Sequence, residues 1–260
     1  MDATVNTNGN TGSTGHGTTG RVALVTGGSR GIGAATALRL AADGADVAIT
    51  YVSDAQAAAE VVHKIEAYGR RGLAVRSDAG DPAAAAGAVE RTVRELGRLD
   101  VLVNNAGVGV LGPLETLTVA DVDRVLAVNV RGAFLAAQAA AALLDRGGRI
   151  ITIGSCMTQR VPGPGGSLYA MSKAALTGLT KALARELGER GITANLVHPG
   201  PVDTDMNPAD GPYAAGQSAM TALGRFAAPD EVAAMVSFLA GPDAAYVTGA
   251  EFSVDGGHAA

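Results

Sequence analysis

The chain has no tryptophan, a single cysteine and only 3% aromatic side chains among its 260 residues. One cysteine excludes an internal disulfide and any cysteine-cluster metal site. Charge is scarce too, at 17%, where soluble domains average about 25%. The 20 basic residues face 25 acidic ones, a net charge of −5. That balance argues against a nucleic-acid binder, which would carry a basic stripe. At 47% hydrophobic residues the sequence also lies outside the range of disordered proteins. The opening twenty residues lack the basic start and apolar run of a signal peptide, so a cytoplasmic location is expected by default. The apolar stretch Val125–Leu144 approaches a bilayer span in length. It contains Asn129, Arg131 and Gln138 and reads as a buried amphipathic helix, with no membrane partner expected.

What the chain has in abundance is glycine, 36 residues without the period of collagen. Residues 1–20 form a polar Gly/Thr/Asn stretch, expected to be a disordered tail before a single domain over 21–260. After it, short apolar runs alternate with helical patterns. Strands are expected at Val22–Val25, Asp46–Tyr51, Leu73–Val75, Leu99–Val103, Arg149–Ile153, Thr193–Val197 and Glu251–Val254. Helices are expected from the first glycines to Asp43, over Ala55–Tyr68, from Asp81-Pro82, over Thr118–Leu144, Tyr169–Glu189 and Asp230–Leu239. Asp81 suits an N-cap and Pro82 the first helical position, and Thr118 with Asp121 forms an acidic capping box. Apolar strands separated by helices imply an α/β fold. It would be a Rossmann-type, doubly wound, seven-stranded parallel sheet with helices on both faces.

The first strand runs into Thr26-Gly27-Gly28-Ser29-Arg30-Gly31-Ile32-Gly33 and then a helix. Glycines there permit a tight turn and let the backbone approach a pyrophosphate at the helix N-terminus. The spacing is G-x-x-x-G-x-G rather than the more familiar G-x-G-x-x-G. An enzyme preferring NAD places an acid at the end of the second strand. Here that position falls at Tyr51, and the next carboxylate is Asp54. Arg30, without a nearby acid, would face a 2′-phosphate, and Ser53 would add a hydroxyl. The pattern favours NADP(H).

The fourth strand ends in Asn104-Asn105-Ala106-Gly107 and the fifth in Gly154-Ser155. Both are strand carboxyl ends, where open α/β sheets bind ligands. Tyr169 and Lys173 stand at i and i+4 on one helix face. A neighbouring ammonium should lower the phenol pKa and make Tyr169 an acid/base.

With these residues in order, the chain resembles the short-chain dehydrogenase/reductases over essentially all of residues 21–260. The matching pieces are Thr26-Gly27-x-x-x-Gly31-Ile32-Gly33, Asp78, Asn104-Asn105-Ala106-Gly107, Asn129, Ser155, Tyr169-x-x-x-Lys173, Pro199-Gly200, Thr248-Gly249 and Asp255-Gly256-Gly257. The resemblance implies an oxidoreductase interconverting a small carbonyl and its alcohol. It implies that Tyr169 transfers the proton, Ser155 binds the substrate oxygen, Lys173 binds the nicotinamide ribose and tunes Tyr169, and Asn129 holds a water in a relay. It implies adenine contact by Asp78, an adenosine-side lining of Asn105, Ala106 and Gly107, and a nicotinamide clasp of Pro199, Gly200, Val202 and Thr204. Self-association as a homotetramer or dimer, through the helices Thr118–Leu144 and Tyr169–Glu189, is implied as well.

Substrate contacts are expected from Cys156–Pro162 and from a mobile lid over Val202–Tyr213. Met157, Met206 and Tyr213 would be the apolar contacts, Gln159 and Arg160 the polar ones. Cys156 reads as packing, His198 as a cofactor-side or structural residue, and His258 as a contact to a neighbouring subunit. Asp203 and Asp205 lack a third ligand, so no metal is expected. Two alternatives accompany the reductase reading. One is 3-oxoacyl-carrier-protein reduction. The other is a cyclic-di-GMP-type regulator, which the run Pro199–Ala209 suggests by its likeness to a bacterial biofilm-dispersal subgroup.

Overall fold

The computed structural model describes residues 17–260. Seven strands, β1 (Val22–Val25), β2 (Asp46–Tyr51), β3 (Gly72–Arg76), β4 (Val101–Asn104), β5 (Arg149–Ile153), β6 (Thr193–Pro199) and β7 (Glu251–Val254), build one sheet. Its order is β3-β2-β1-β4-β5-β6-β7, and every pairing is parallel. The inner strands are buried on both faces, which is why they read as continuous apolar runs.

One face is covered by α1 (Gly31–Ala42), α2 (Ala55–Ala67) and α8 (Pro229–Ala240). Leu40, Ile65, Val236 and Leu239 fill that layer against Val25, Ile49 and Val103. The other face carries α3 (Pro82–Leu96), α5 (Ala133–Leu143) and α6 (Ser167–Leu187), with Val89, Leu96, Ala137, Ala140 and Leu183 against Leu24, Leu102 and Ile150. Each fully buried Leu or Ile contributes about 1.5–3 kcal/mol. α1 packs on α8, and the last residue of α8 is held by Arg21, whose guanidinium donates to the Ala240 carbonyl at 3.1 Å.

Caps fall where the sequence places them. Asp81 accepts from Ala83 N and Ala84 N ahead of Pro82. Thr118 and Asp121 close a reciprocal box at the start of α4 (Val119–Leu126).

Two expectations need correction. Of the expected tail, residues 1–16 lie outside the described residues. Thr18 is buried and its hydroxyl donates to Leu40 O at 3.2 Å, so the ordered domain starts before residue 21. The helix expected over Thr118–Leu144 is broken: α4 and α5 are joined by a π-helical turn, Ala127–Gly132. Gly132 lies so close to Ala79 O that a Cβ there would clash, and the wider turn accommodates that approach. By length and composition Val119–Leu143 could cross a membrane, but here Ala136, Ala137 and Ala140 are buried in the domain.

Candidate active site

A cleft of about 880 Å³ opens over the carboxyl ends of the strands, where the strand order reverses between β1 and β4. The glycine turn forms its floor. Gly27 and Gly31 have φ of 65° and 55°, a conformation that favours glycine. Thr50 fixes the turn by accepting from Gly27 N through its hydroxyl (2.8 Å) and from Gly28 N through its carbonyl (2.9 Å). Asn105 donates its amide to Thr26 O and Gly27 O at 2.9 and 3.0 Å. Gly33 serves this packing, because a Cβ would collide with Gly27 O and sit 2.5 Å from the Asn105 amide. The N-cap residue of α1, Arg30, makes no side-chain cap. The helix therefore presents uncapped N–H groups beside Ser29, Gly31 and Ile32 at the cleft wall.

At the adenosine end, Tyr51, Ser53, Asp78 and Ala106 line the cleft. Asp54 lines it too, but its carboxylate caps α2 by accepting from Ala57 N at 2.9 Å. Asp78 accepts from Gly80 N at 2.8 Å and pairs with Arg124 at 3.1 Å, and these two contacts hold its carboxyl below its ordinary value. Arg30 is not free of acids as expected. Asp205 of the 200s loop stands 3.9 Å away, with both side chains more than 70% exposed. Sequence spacing from β2 gave no sign of an acid arriving from across the cleft.

The other end is buried. Ser155, extended at φ −164° after β5, accepts from Met157 N through Oγ at 3.2 Å. That contact leaves the hydroxyl proton available to a substrate oxygen. Tyr169 lies in the first turn of α6, one turn before Lys173, whose Nζ is 5.9 Å from the ring centre. Nζ donates to Ile153 O at 2.9 Å, and a Cβ on Gly107 would come within 3.3 Å of it. Burial lowers the Lys173 pKa to about 8. The Tyr169 phenol is not lowered as the Tyr-x-x-x-Lys spacing suggested. Burial raises it, against the opposing effect of the Ser155 hydroxyl. In a desolvated pocket the loss of hydration outweighs a lysine that is itself reluctant to stay charged.

Asn129 lies in the π-helical turn behind this group and does not line the cleft. Both its amide protons are engaged, with Val108 O (2.9 Å) and Ser172 Oγ (3.0 Å), and Oδ1 accepts from Val108 N (2.8 Å). One Oδ1 lone pair is left for a water.

Pro199, Gly200, Val202 and Thr204 form the opposite wall. Gly200 is glycine because a Cβ would lie 2.6 Å from Asp255 Cα, so packing against the residue that follows β7 explains it without any ligand. In the lid, Asn207 and Gln217 exchange two amide hydrogen bonds of 2.9 Å, tying the loop to α7 (Ala214–Ala219). Met157 and Met206 line the cleft, whereas Tyr213, Gln159 and Arg160 do not. Gln159 accepts from Ser253, and Arg160 donates to His258 O. Cys156 is buried, and its thiol is pushed up to about 11 by that burial. His258, expected at a subunit contact, is buried in its own chain and lines the cleft together with Met220. Neither stands in a recognisable motif, so only the tertiary structure reveals them.

The profile of the family described as "Enoyl-(Acyl carrier protein) reductase" matches residues 27–259. A cyclic-di-GMP-binding biofilm dispersal mediator protein of Escherichia coli is 44% identical over 238 residues, 92% of this chain and 97% of that one. A hydroxynaphthalene reductase of Aspergillus fumigatus is 40% identical over 248 residues, 90% of each chain. A short chain dehydrogenase from Burkholderia cenocepacia, crystallised in complex with NADP, is 55% identical with a TM-score of 0.92, covering 93% of this chain and 99% of its own.

Proposed function

The chain belongs to the short-chain dehydrogenase/reductase family of oxidoreductases, and we propose that it reduces a small carbonyl compound to a secondary alcohol with NADPH. The observation that carries this reading is the meeting, in one cleft, of an uncapped helix N-terminus with buried Ser155 and Lys173 and a half-buried Tyr169.

The residues fit the dinucleotide. The positive-φ glycine turn and free N–H groups of α1 suit a pyrophosphate. Asp54 is occupied as a cap, leaving Arg30 and Ser53 to a 2′-phosphate. The NADP-bound Burkholderia relative supports the same choice. When bound, the cofactor supplies the hydride. Ser155 donates its free hydroxyl proton to the carbonyl oxygen and holds it in place. Tyr169, kept protonated by burial, is poised as the acid: its O–H bond breaks as the new alcohol O–H bond forms. Lys173, when protonated, stabilises the phenolate left behind. The remaining Asn129 Oδ1 lone pair suits a water that returns the proton from solvent.

A panel of ketones, aldehydes and 3-oxoacyl thioesters, followed by NADPH absorbance, tests this reading. Tyr169→Phe should lower turnover about 10²–10⁴-fold and leave NADPH binding intact. Turnover at the wild-type rate would refute the mechanism. The thioesters test the acyl-carrier-protein alternative. The Escherichia coli relative's name supports a second reading, a cyclic-dinucleotide binder. Titration with cyclic di-GMP in the presence and absence of NADPH distinguishes it. A homotetramer or dimer is part of the proposal, supported by the half-exposed Phe134 of α5 and Met171 of α6. Light scattering after gel filtration reads the mass.

A further inference from the structure

Behind Ser155 lies an imidazole that the proposed reaction does not use. His198, next to last in β6, is fully buried. Its Nε2 is 2.9 Å from Glu251 Oε2. Its Nδ1 lies 3.2 Å from the Ser155 amide nitrogen, 2.9 Å from the Ser155 carbonyl oxygen and 3.2 Å from Thr158 Oγ1.

Glu251 decides how the ring is used. Thr177 Oγ1 donates to its Oε2 and Lys181 Nζ pairs with its Oε1, both at 2.9 Å. Partial burial opposes the charge, but the hydrogen bonds from Lys181, His198 and Thr177 hold the carboxyl at about 2. An ionised carboxylate only accepts, so Nε2 must carry a proton. Nδ1 accepts from the Ser155 N–H when the ring is neutral and, when it carries a proton, donates to Ser155 O. The Thr158 hydroxyl donates to Ser155 O at 2.9 Å, and in either protonation state the ring is tied to the Ser155 main chain. Gly154 belongs to the same arrangement. A Cβ there would stand 2.6 Å from Nδ1 and 2.9 Å from Cε1 of His198, so glycine lets the ring reach the serine main chain.

We infer that His198, its ring oriented by Glu251, is a positioning residue that fixes the Ser155 main chain and thereby aims the serine hydroxyl at the substrate oxygen. The inference rests on the carbonyl-reductase reading. A misplacement of about 1 Å at such a group costs up to about 100-fold in rate.

The test uses full-length enzyme, NADPH and whichever carbonyl of the panel turns over fastest. His198→Leu should lower kcat about 10–100-fold, with the KM for NADPH within about twofold of wild type. His198→Asn places an amide near the Nδ1 position and should restore kcat to within about threefold. His198→Gln reaches only toward Glu251 and should not restore it. Glu251→Leu removes the acceptor for Nε2 and should lower kcat while leaving the KM for NADPH unchanged. If His198→Leu fails to fold, the Asn and Gln variants decide, because a purely structural histidine would give them equal kcat per folded molecule. Equal kcat in those two variants, or wild-type kcat in His198→Leu, overturns the inference. Tyr169→Phe is run in parallel. If it stays active, the reductase reading fails. If it is inactive while the His198 variants keep wild-type kcat, only the positioning role fails.

Discussion

At the buried end, Lys173 and Ser155 in the cleft and Asn129 behind it are 4%, 7% and 1% exposed, and each hydrogen-bonds the main chain. At the adenosine and lid end, Arg30 faces Asp205 across 3.9 Å with both side chains mostly in water. The contrast is one of dielectric. Where water is excluded, a charge or an unpaired proton is costly, side chains are held in one arrangement, and ordinary pKa values shift. Where water enters, an ion pair is worth about 0–1 kcal/mol and exchanges partners readily. The buried end is therefore suited to chemistry, and the exposed end to admitting and releasing a charged ligand.

Substitutions at the two ends should differ in size. Ser155→Ala should lower kcat about 10²–10³-fold and leave the KM for NADPH unchanged in steady-state assays. A loss below fivefold would remove the serine from the chemistry.

Lys173 gives a test without substrate. Burial lowers its pKa to about 8, below the ordinary value of 10.5. Its contribution to stability is thus present in full above 10.5 and is lost as pH falls through about 8. Cys156 works the other way, because its thiol is raised from 9.0 to about 11 and the chain loses stability as pH rises through that interval. Between pH 8 and 9 the lysine dominates. Urea unfolding of the ligand-free chain should show stability rising by roughly 0.5–1 kcal/mol across that unit. Lys173→Met should abolish the rise.

At the exposed end, Arg30→Ala should raise the KM for NADPH about tenfold while sparing NADH, the size of one charge-assisted contact. An equal effect on both cofactors would show that Arg30 does not read the 2′-phosphate. The smallest effect is expected at the edge of the lid. Arg225 and Glu231 pair at 2.7 Å but are largely solvated. Arg225→Ala should move the Tm by less than about 2 °C and leave kcat unchanged.

Much of this was legible in the sequence where local chemistry decides the outcome. Apolar runs such as Val101–Asn104 and Arg149–Ile153 announce buried strands, and Asp81-Pro82 and Thr118–Asp121 announce helix starts. The glycine turn was legible as a strand-to-helix turn because its backbone conformation restricts the residue. What was hidden depends on distant partners. The π-helical turn ends at Gly132, where the chain meets Ala79, and a single glycine in an alanine-rich stretch does not announce it. Gly33 and Gly200 line the cleft and are also fixed by packing within the chain, which the sequence does not show. The upward shift of Tyr169 depends on burial, which a Tyr-x-x-x-Lys spacing does not encode.

The packing of α1 against α8 has a consequence for how the protein is made. The apolar side of α1, with Ala37, Leu40 and Ala41, is covered in the finished fold by Val232, Val236 and Leu239 of α8. A ribosome delivers those partners roughly 200 residues later, which at ordinary elongation speeds is about 10–40 s. Through that interval the nascent chain carries an adhesive helix face with no native cover. Strands β1 and β4 are also synthesised before β5, β6 and β7, the strands that cover the β4 edge in the finished sheet. Overexpression at a lower temperature, or with a trigger-factor-like holdase, should raise the soluble yield more than any stabilising substitution in the cleft.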